Sequence, residues 1–190
     1  PRRRGPHRYR GVVVIDPGHG GKDPGAVARG TNEKSLNMQA TNQLVRELRR
    51  RGVNIRLTRS DDRFMELNDR ADFANALDAR LFISIHANMF KPKPGVTGYD
   101  VYIANGASKD SERAAAAIIR RFDAAGVPRH GGQPKRANFR VLVRTSGPAV
   151  LVEMGFMSNA AELRKLRTVS YQRKVARALA DGVEDYLAGR

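Results

Sequence analysis

The feature that most constrains the fold is the alternation of short apolar runs with amphipathic helical stripes along nearly the whole chain. Residues 12–15 read Val-Val-Val-Ile, a run that is too short for a helix and rich in the β-branched side chains that favour strands. An apolar side chain then recurs at every fourth position from Leu36 to Leu48. This spacing predicts an amphipathic helix over residues 34–51 that ends at Gly52.

The same alternation continues to the end of the chain and predicts six strands and about five helices. The predicted strands cover residues 12–15, 53–58, 81–85, 99–103, 139–143 and 149–153. The predicted helices cover residues 34–51, 67–77, 108–125, 160–167 and 175–187. Because only a short turn joins the last two strands, we expect them to form an antiparallel hairpin. The predicted fold class is a single α/β domain, with a mixed, mostly parallel six-stranded sheet and helices on both faces.

Three of the predicted strands run into side chains that commonly bind metals. The first strand leads to His19, the third leads to His86, and the last ends on Glu153. Because chemistry collects at the carboxyl ends of strands in such folds, these side chains should converge, with Glu33 at the start of the first helix reaching the same edge. Two histidines and one glutamate leave one coordination position open, which is typical of catalytic zinc. The alternative is that each histidine is a hydrogen-bonded structural residue.

The glycine-rich turn at residues 18–21 does not fit the common phosphate-binding motifs. A P-loop requires a lysine followed by serine or threonine, but Lys22 is followed by Asp23. A dinucleotide-binding fingerprint requires a third small residue where Asp23 stands. The turn therefore either belongs to the predicted metal site or simply permits a tight passage from strand to helix.

The charge of the chain indicates an anionic partner. The sequence carries 35 Lys and Arg residues against 19 Asp and Glu residues, a formal net charge of +16, and no cysteine. The absence of cysteine excludes thiolate metal ligands, a thiol nucleophile and a disulfide scaffold. Nucleic acid would explain the charge, but it would not explain the histidines and glutamates at the strand ends. It is also disfavoured because tryptophan is absent and aromatic residues make up 6% of the chain.

Four segments resemble the zinc-dependent N-acetylmuramoyl-L-alanine amidases, the group that includes bacterial cell-separation amidases. Residues 13–26, VVIDPGHGGKDPGA, resemble the opening motif of that family. Residues 32–34, NEK, and residues 84–88, SIHAN, resemble its second and third ligand motifs. Residues 148–159, PAVLVEMGFMSN, resemble its catalytic-glutamate segment. The four segments occur in the family's order.

The resemblance implies a fold, a cofactor and a reaction. His19, Glu33 and His86 would hold Zn²⁺, and Glu153 would act as the general base and later as the general acid. The bond cleaved would be the amide between N-acetylmuramic acid and the L-alanine of the peptidoglycan stem peptide, in remodelling or splitting of the septal wall. A cell-wall-binding module without catalysis is the alternative, but such a module would not need Glu153.

Weaker predictions concern five further polar side chains. Asn88 and Ser84 either orient the third ligand or touch substrate, with turn hydrogen bonding as the alternative. Asp16 either accepts a hydrogen bond from a ligand imidazole or caps the turn. Asn138 and Arg144 are predicted to contact carboxylates of the stem peptide, with a solvated basic surface as the alternative.

The domain organisation and location follow from the same interpretation. Residues 1–10 are predicted to be a basic extension, and residues 11–190 the amidase catalytic domain. No apolar run is long enough to span a membrane. We therefore expect a monomer that binds peptidoglycan and no nucleic acid, in the periplasm or outside the cell in association with the wall. We expect a signal sequence to have been removed or to be absent from this chain.

Overall fold

The computed structural model describes residues 9–90, 95–132 and 134–190, in which strands and helices alternate. The strands are β1 (Val13–Pro17), β2 (Val27–Ala28), β3 (Thr31–Asn32), β4 (Ile55–Leu57), β5 (Leu81–Asn88), β6 (Asp100–Ile103), β7 (Lys135–Arg136) and β8 (Ala149–Phe156). The helices are α1 (Glu33–Arg50), α2 (Leu67–Ala76), α3 (Lys109–Ala124), α4 (Arg140–Arg144), α5 (Ala160–Leu166) and α6 (Val169–Leu187). Most of the predicted extension at residues 1–10 lies outside the described residues.

Six of these strands form one sheet in the order β4-β1-β5-β8-β6-β7. Every pair in this sheet is parallel except β6 with β8, in which Asp100 lies opposite Glu153. The predicted α/β class with a mostly parallel six-stranded sheet is therefore confirmed. The short strands β2 and β3 form a separate antiparallel pair.

The predicted hairpin over residues 139–153 is wrong. Residues 140–144 form the helix α4, and the remaining strand of the sheet is instead the two-residue β7. Val141 and Leu142 of α4 are buried, whereas Val143 is 53% exposed. A run of five residues with this composition satisfies the patterns of a strand and of one helical turn equally, so its periodicity could not decide between them.

Helices cover both faces of the sheet, as predicted. In β1, the side chains of Val13 and Ile15 join the larger apolar core, which contains residues from α1, α3 and α6. Val14 lies on the opposite face and joins a smaller core that includes Ala74 of α2 and Leu142 of α4. Because side chains alternate between the faces of a strand, the unbroken apolar run of β1 serves both cores.

The helix α1 places a carboxylate at the edge of the sheet where β1 ends. It begins at Glu33, one residue before the predicted start. It ends at Arg50, and Gly52 follows with a φ of 73°, a left-handed conformation that favours glycine after a helix. Among the described residues, no helix combines the length and the apolar character needed to cross a bilayer.

Candidate metal centre

Two histidines and one glutamate converge at the carboxyl-terminal edge of the sheet. Nε2 of His19 lies 3.1 Å from Oε2 of Glu33, and Nδ1 of His86 lies 2.8 Å from Oε1 of Glu33. One ligand atom from each residue lies within 4.8 Å of the other two, and the imidazole rings meet edge to face at 4.9 Å. The three side chains predicted as ligands thus come together in a group that can hold a metal ion.

The pairing of β1 with β5 brings these residues together. The two strands are parallel neighbours with Pro17 opposite Ile85, so both reach the same edge of the sheet. His86 belongs to β5, and Glu33 is the first residue of α1. His19 follows β1 in a left-handed conformation with a φ of 62°, which is uncommon for a residue other than glycine and occurs often at functional sites.

Two glycines allow the backbone to approach the ligand side chains closely. A Cβ atom on Gly18 would lie 2.1 Å from Cε1 of the His86 ring. A Cβ atom on Gly25 would lie 2.6 Å from Cδ2 of His19 and 2.7 Å from Oε2 of Glu33. Any larger residue at either position would have to displace one of the predicted ligands, so these glycines do more than permit a turn.

Two buried arginines hold the backbone of the turn after β1. Nε of Arg59 donates to the carbonyl oxygen of Pro17 at 2.8 Å, and its Nη2 donates to that of Gly18 at 2.9 Å. Nη2 of Arg70 donates to the carbonyl oxygen of His19 at 2.8 Å. Their exposed fractions are only 1% and 2%. The sequence reasoning missed both residues, because an arginine in a strongly basic chain carries no local sign of burial.

Asp23 orients the imidazole of His19. Oδ2 of Asp23 lies 2.7 Å from Nδ1 of His19, and Oδ1 accepts a hydrogen bond from the amide of Gly25 at 2.9 Å. A carboxylate bound to one ring nitrogen fixes the tautomer of a ligating histidine, so Asp23 would leave Nε2 of His19 free to coordinate a metal ion. The sequence reasoning missed this role for Asp23. Its only signal was a position four residues after His19 in the same turn.

Asp16 makes different contacts from those predicted. Its buried carboxylate accepts hydrogen bonds from Thr58 at 2.6 Å, from Ser84 at 2.7 Å and from Arg70 at 2.8 Å. These bonds tie β1 to β5 and to α2, whereas the carboxylate that contacts a ligand imidazole is Asp23. The hydroxyl group of Ser84 is engaged by Asp16 rather than by the neighbouring third ligand.

The pKa values of Glu33 and His19 reflect the contacts within the group. Burial raises the pKa of Glu33, but its hydrogen bonds with His19 and His86 outweigh burial and hold that pKa below the ordinary value. Burial lowers the pKa of His19, but its hydrogen bonds with Glu33 and Asp23 outweigh burial and raise that pKa. A metal ion bound here would compete with the imidazole protons, because both ligand types must be deprotonated to coordinate it.

Glu153 lies in β8 directly opposite His86 of β5. It is 9% exposed, and its buried Oε2 atom has no hydrogen-bond partner among the described residues. Burial raises the pKa of Glu153 well above its ordinary value, and the negative charges of Glu33 and Asp100 raise it further. A buried carboxyl group without a partner is costly for folding, so its presence in a site marks it as a candidate for function.

A cavity of about 590 Å³ opens over this group. Its size is within the range of small-molecule sites in proteins, which is roughly 300–1,000 Å³. It is lined by all three predicted ligands, by Glu153, by Asp23 and by Asn88, so a substrate contact by Asn88 stays a prediction. Other parts of its wall come from Phe64, Met65, Leu67, Phe139, Arg140 and Val141.

Asn138 and Arg144 are not among the residues that line this cavity, so nothing in its geometry supports their predicted contact with substrate, which stays a prediction. Oδ1 of Asn138 accepts a hydrogen bond from the amide of Asn105 at 3.1 Å. Arg144 binds both carboxylate oxygens of Asp72, at 2.7 and 2.6 Å. Because residues 140–144 are helical, Arg144 lies about one turn beyond Arg140, which does line the cavity.

The fold and the site together define a class: an α/β protein whose sheet edge carries a His-Glu-His metal group beside a buried carboxyl group. Comparison with known families agrees with this class. The profile of the N-acetylmuramoyl-L-alanine amidase family matches residues 13–185. The chain belongs to this family of metal-dependent amide hydrolases and is an enzyme.

Individual relatives show how far the similarity extends. The chain is 37% identical over 178 residues to the sporulation-specific N-acetylmuramoyl-L-alanine amidase of Bacillus subtilis, covering 90% of this chain and 66% of that protein. It is 31% identical over 227 residues to the amidase AmiC of Neisseria meningitidis, covering 97% of this chain and 54% of that protein. The solved catalytic domain of CwlV, an N-acetylmuramoyl-L-alanine amidase of Paenibacillus polymyxa, is 37% identical with a TM-score of 0.86, covering 95% of this chain and 99% of that domain.

Proposed function

We propose that this chain is a zinc-dependent hydrolase that cleaves the amide between the lactyl group of N-acetylmuramic acid and the L-alanine of the peptidoglycan stem peptide. The observation that carries the proposal is a cavity lined by the His19, Glu33 and His86 group and by the buried carboxyl group of Glu153, whose Oε2 atom has no hydrogen-bond partner among the described residues. The choice of bond is supported by the relatives, which are named N-acetylmuramoyl-L-alanine amidases.

His19, Glu33 and His86 would hold the zinc ion. Two imidazole nitrogens and one carboxylate oxygen match the ligand set of catalytic zinc sites, which keep a further position open. When bound, Zn²⁺ supplies Lewis-acid polarisation of the scissile carbonyl and increases the acidity of a water molecule. Asp23 would keep Nε2 of His19 directed at the ion through its hydrogen bond to Nδ1, which measures 2.7 Å.

Glu153 would move the protons of the reaction. Its carboxylate takes a proton from the attacking water while the water oxygen bonds to the carbonyl carbon. The same carboxyl group then gives that proton to the alanine nitrogen as the carbon–nitrogen bond breaks. The products are the lactyl carboxyl group and a stem peptide with a free amino terminus. Glu153 lines the cavity, and no hydrogen bond to the described residues engages its Oε2 atom, so the carboxyl group is not tied to a structural partner through that oxygen.

The proposed substrate is consistent with the charge of the chain and indicates where the protein would act. Peptidoglycan stem peptides carry free carboxylates, and the net charge of +16 favours association with such a polymer. The chain would act as a monomer on the wall, in the periplasm or outside the cell, and would remodel or split septal peptidoglycan. Nucleic acid has no part in this function.

Digestion of purified peptidoglycan, followed by muropeptide analysis, tests the proposal. We expect new free amino termini on L-alanine, their loss when a chelator is present, and their return when zinc is restored. Digestion that instead releases reducing sugar ends, or that proceeds unchanged after complete metal removal, would contradict the proposal.

A further inference from the structure

Arg140 is a cationic side chain at the wall of the cavity that the proposed mechanism does not use. It is the first residue of α4, is exposed, and lines the same cavity as the candidate ligands and Glu153. The residue before it, Phe139, packs its ring against Tyr102 with centroids 5.1 Å apart. The start of α4 is therefore held against the sheet. This contact fixes the backbone position from which the Arg140 side chain extends.

Of the residues that the structure describes, two arginines line this cavity, and they differ in their ion pairing. Nη1 of Arg70 lies 2.8 Å from Oδ1 of Asp16, and both side chains are buried. The positive charge of Arg70 is thus balanced within the protein. The guanidinium of Arg140 makes no ion pair with any carboxylate of the described residues; its charge helps to lower the pKa of Asp72, but Asp72 makes its direct ion pair with Arg144.

The guanidinium of Arg140 is oriented by a neutral partner. Its Nε donates to Oδ1 of Asn68 at 2.6 Å, a bond that fixes one edge of the planar group without cancelling its charge. Its Nη1 and Nη2 atoms have no hydrogen-bond partner within the described parts of the chain. Two terminal nitrogens held in one plane present parallel donors that match the two oxygens of a carboxylate.

Arg144 shows the opposite arrangement on the same helix. Its Nε and Nη2 donate to the two carboxylate oxygens of Asp72, and it does not line the cavity. Two arginines four residues apart therefore differ in one respect that matters for binding. Arg144 is hydrogen-bonded to a carboxylate of the protein, whereas Arg140 is oriented by Asn68 and makes no direct ion pair with a described residue.

We propose that Arg140 binds a free carboxylate of the stem peptide and makes the enzyme prefer acidic stem peptides to amidated ones; this rests on the proposed amidase function. The nearest candidate is the α-carboxylate of the γ-linked D-glutamate that follows L-alanine. Two extended residues span about 7 Å, so this group lies close to the scissile amide. The 590 Å³ cavity has room for the amide and its neighbouring residues together.

Two matched substrates and two matched variants test the proposal. N-acetylmuramoyl-L-alanyl-D-glutamate has the free carboxylate, and N-acetylmuramoyl-L-alanyl-D-isoglutamine has a carboxamide in its place. We expect the parent protein and Arg144→Gln to cleave the acid with a kcat/KM at least about tenfold higher than the amide, the size of a charge-assisted hydrogen bond. Arg140→Gln should lose this preference, because its kcat/KM falls on the acid and stays unchanged on the amide.

A binding measurement gives a readout that does not depend on turnover. Calorimetry with the free dipeptide L-alanyl-D-glutamate should show affinity about tenfold weaker for Arg140→Gln than for Arg144→Gln. A retained preference in Arg140→Gln, or an equal loss of kcat/KM on both substrates, would overturn the assignment. If the parent cleaves neither substrate, the amidase function is contradicted, and equal dipeptide affinity of the two variants would then separately refute the role of Arg140.

Discussion

Nδ1 of His86 lies 2.8 Å from Oε1 of Glu33, although 53 residues separate them in the chain. Their contact joins the end of β5 to the first residue of α1. The other carboxylate oxygen of Glu33 lies 3.1 Å from Nε2 of His19, in the turn after β1. The candidate metal centre therefore forms only when the chain folds and brings these residues to one edge of the sheet. The contribution of each residue can be tested by substitution.

Removal of either histidine should abolish zinc binding. We expect about one zinc ion per parent chain and strong loss from His19→Ala and His86→Ala, because two of the three protein ligands are imidazoles. Metal analysis of the purified proteins checks this result. His130→Ala is the matched control, because His130 pairs with Asp100 at 3.0 Å and is not part of the group. Full zinc retention by both ligand variants would refute the ligand assignment.

Asp23→Asn should weaken zinc binding without unfolding the protein. The hydrogen bond between Asp23 and His19 orients the ring, and loss of such a partner typically costs about 10–100-fold in metal affinity. Competition with a chelator of known affinity measures this change. Asp61→Asn serves as the control because the Asp61 carboxylate lies on the surface, 63% exposed. Equal affinity in the two variants would show that Asp23 has no such role.

Gly18→Ala should damage the metal site more than a glycine substitution elsewhere. The added methyl group would lie 2.1 Å from Cε1 of His86, so the ring must leave its position. We expect reduced zinc content and reduced amidase activity in this variant. Gly106→Ala is the control, since nothing lies within 4 Å of its added methyl group. The close approach would be unimportant if both variants kept parental zinc content.

Arg70→Met should destabilise the fold. It removes the partner of a buried carboxylate, and the broken pair should lower the free energy of unfolding by about 3–5 kcal/mol. Denaturant titration measures this loss. Arg144→Gln breaks an exposed pair with Asp72 and should shift the unfolding midpoint little. Similar midpoints for the two variants would contradict the structural role of Arg70.

The strand and helix order is largely predictable because burial imposes a period on the sequence. Every residue of β8 is buried, and its apolar composition identifies it without any knowledge of its neighbours. Residues 139–143 are predicted wrongly because a single helical turn is too short to show its period. The antiparallel pair exists, as expected, but it is formed by β6 and β8, a long-range pairing that no local pattern reveals.

The residues of the site differ in the same way: some have a local sequence signal, and others depend on long-range packing. His19 and His86 are predictable as candidates because each lies at the end of an apolar strand. The buried positions of Arg59 and Arg70 depend on how distant loops pack over the turn after β1. That Arg140 lines the cavity and Arg144 does not depends on α4 being a helix, which the pattern of residues 139–143 does not predict.

In the proposed function, Glu153 moves the protons of amide hydrolysis beside a metal held by His19, Glu33 and His86. Glu153→Gln tests it most directly, with turnover, zinc content and thermal unfolding measured on one preparation. The variant keeps the size of the side chain but removes its basicity, and loss of a general base typically costs about 10²–10⁴-fold in rate. We predict that release of L-alanine amino termini falls at least about a hundredfold, while zinc content and melting temperature stay close to those of the parent. Near-parental turnover by a folded, zinc-loaded Glu153→Gln protein would contradict the role of Glu153 as the general base.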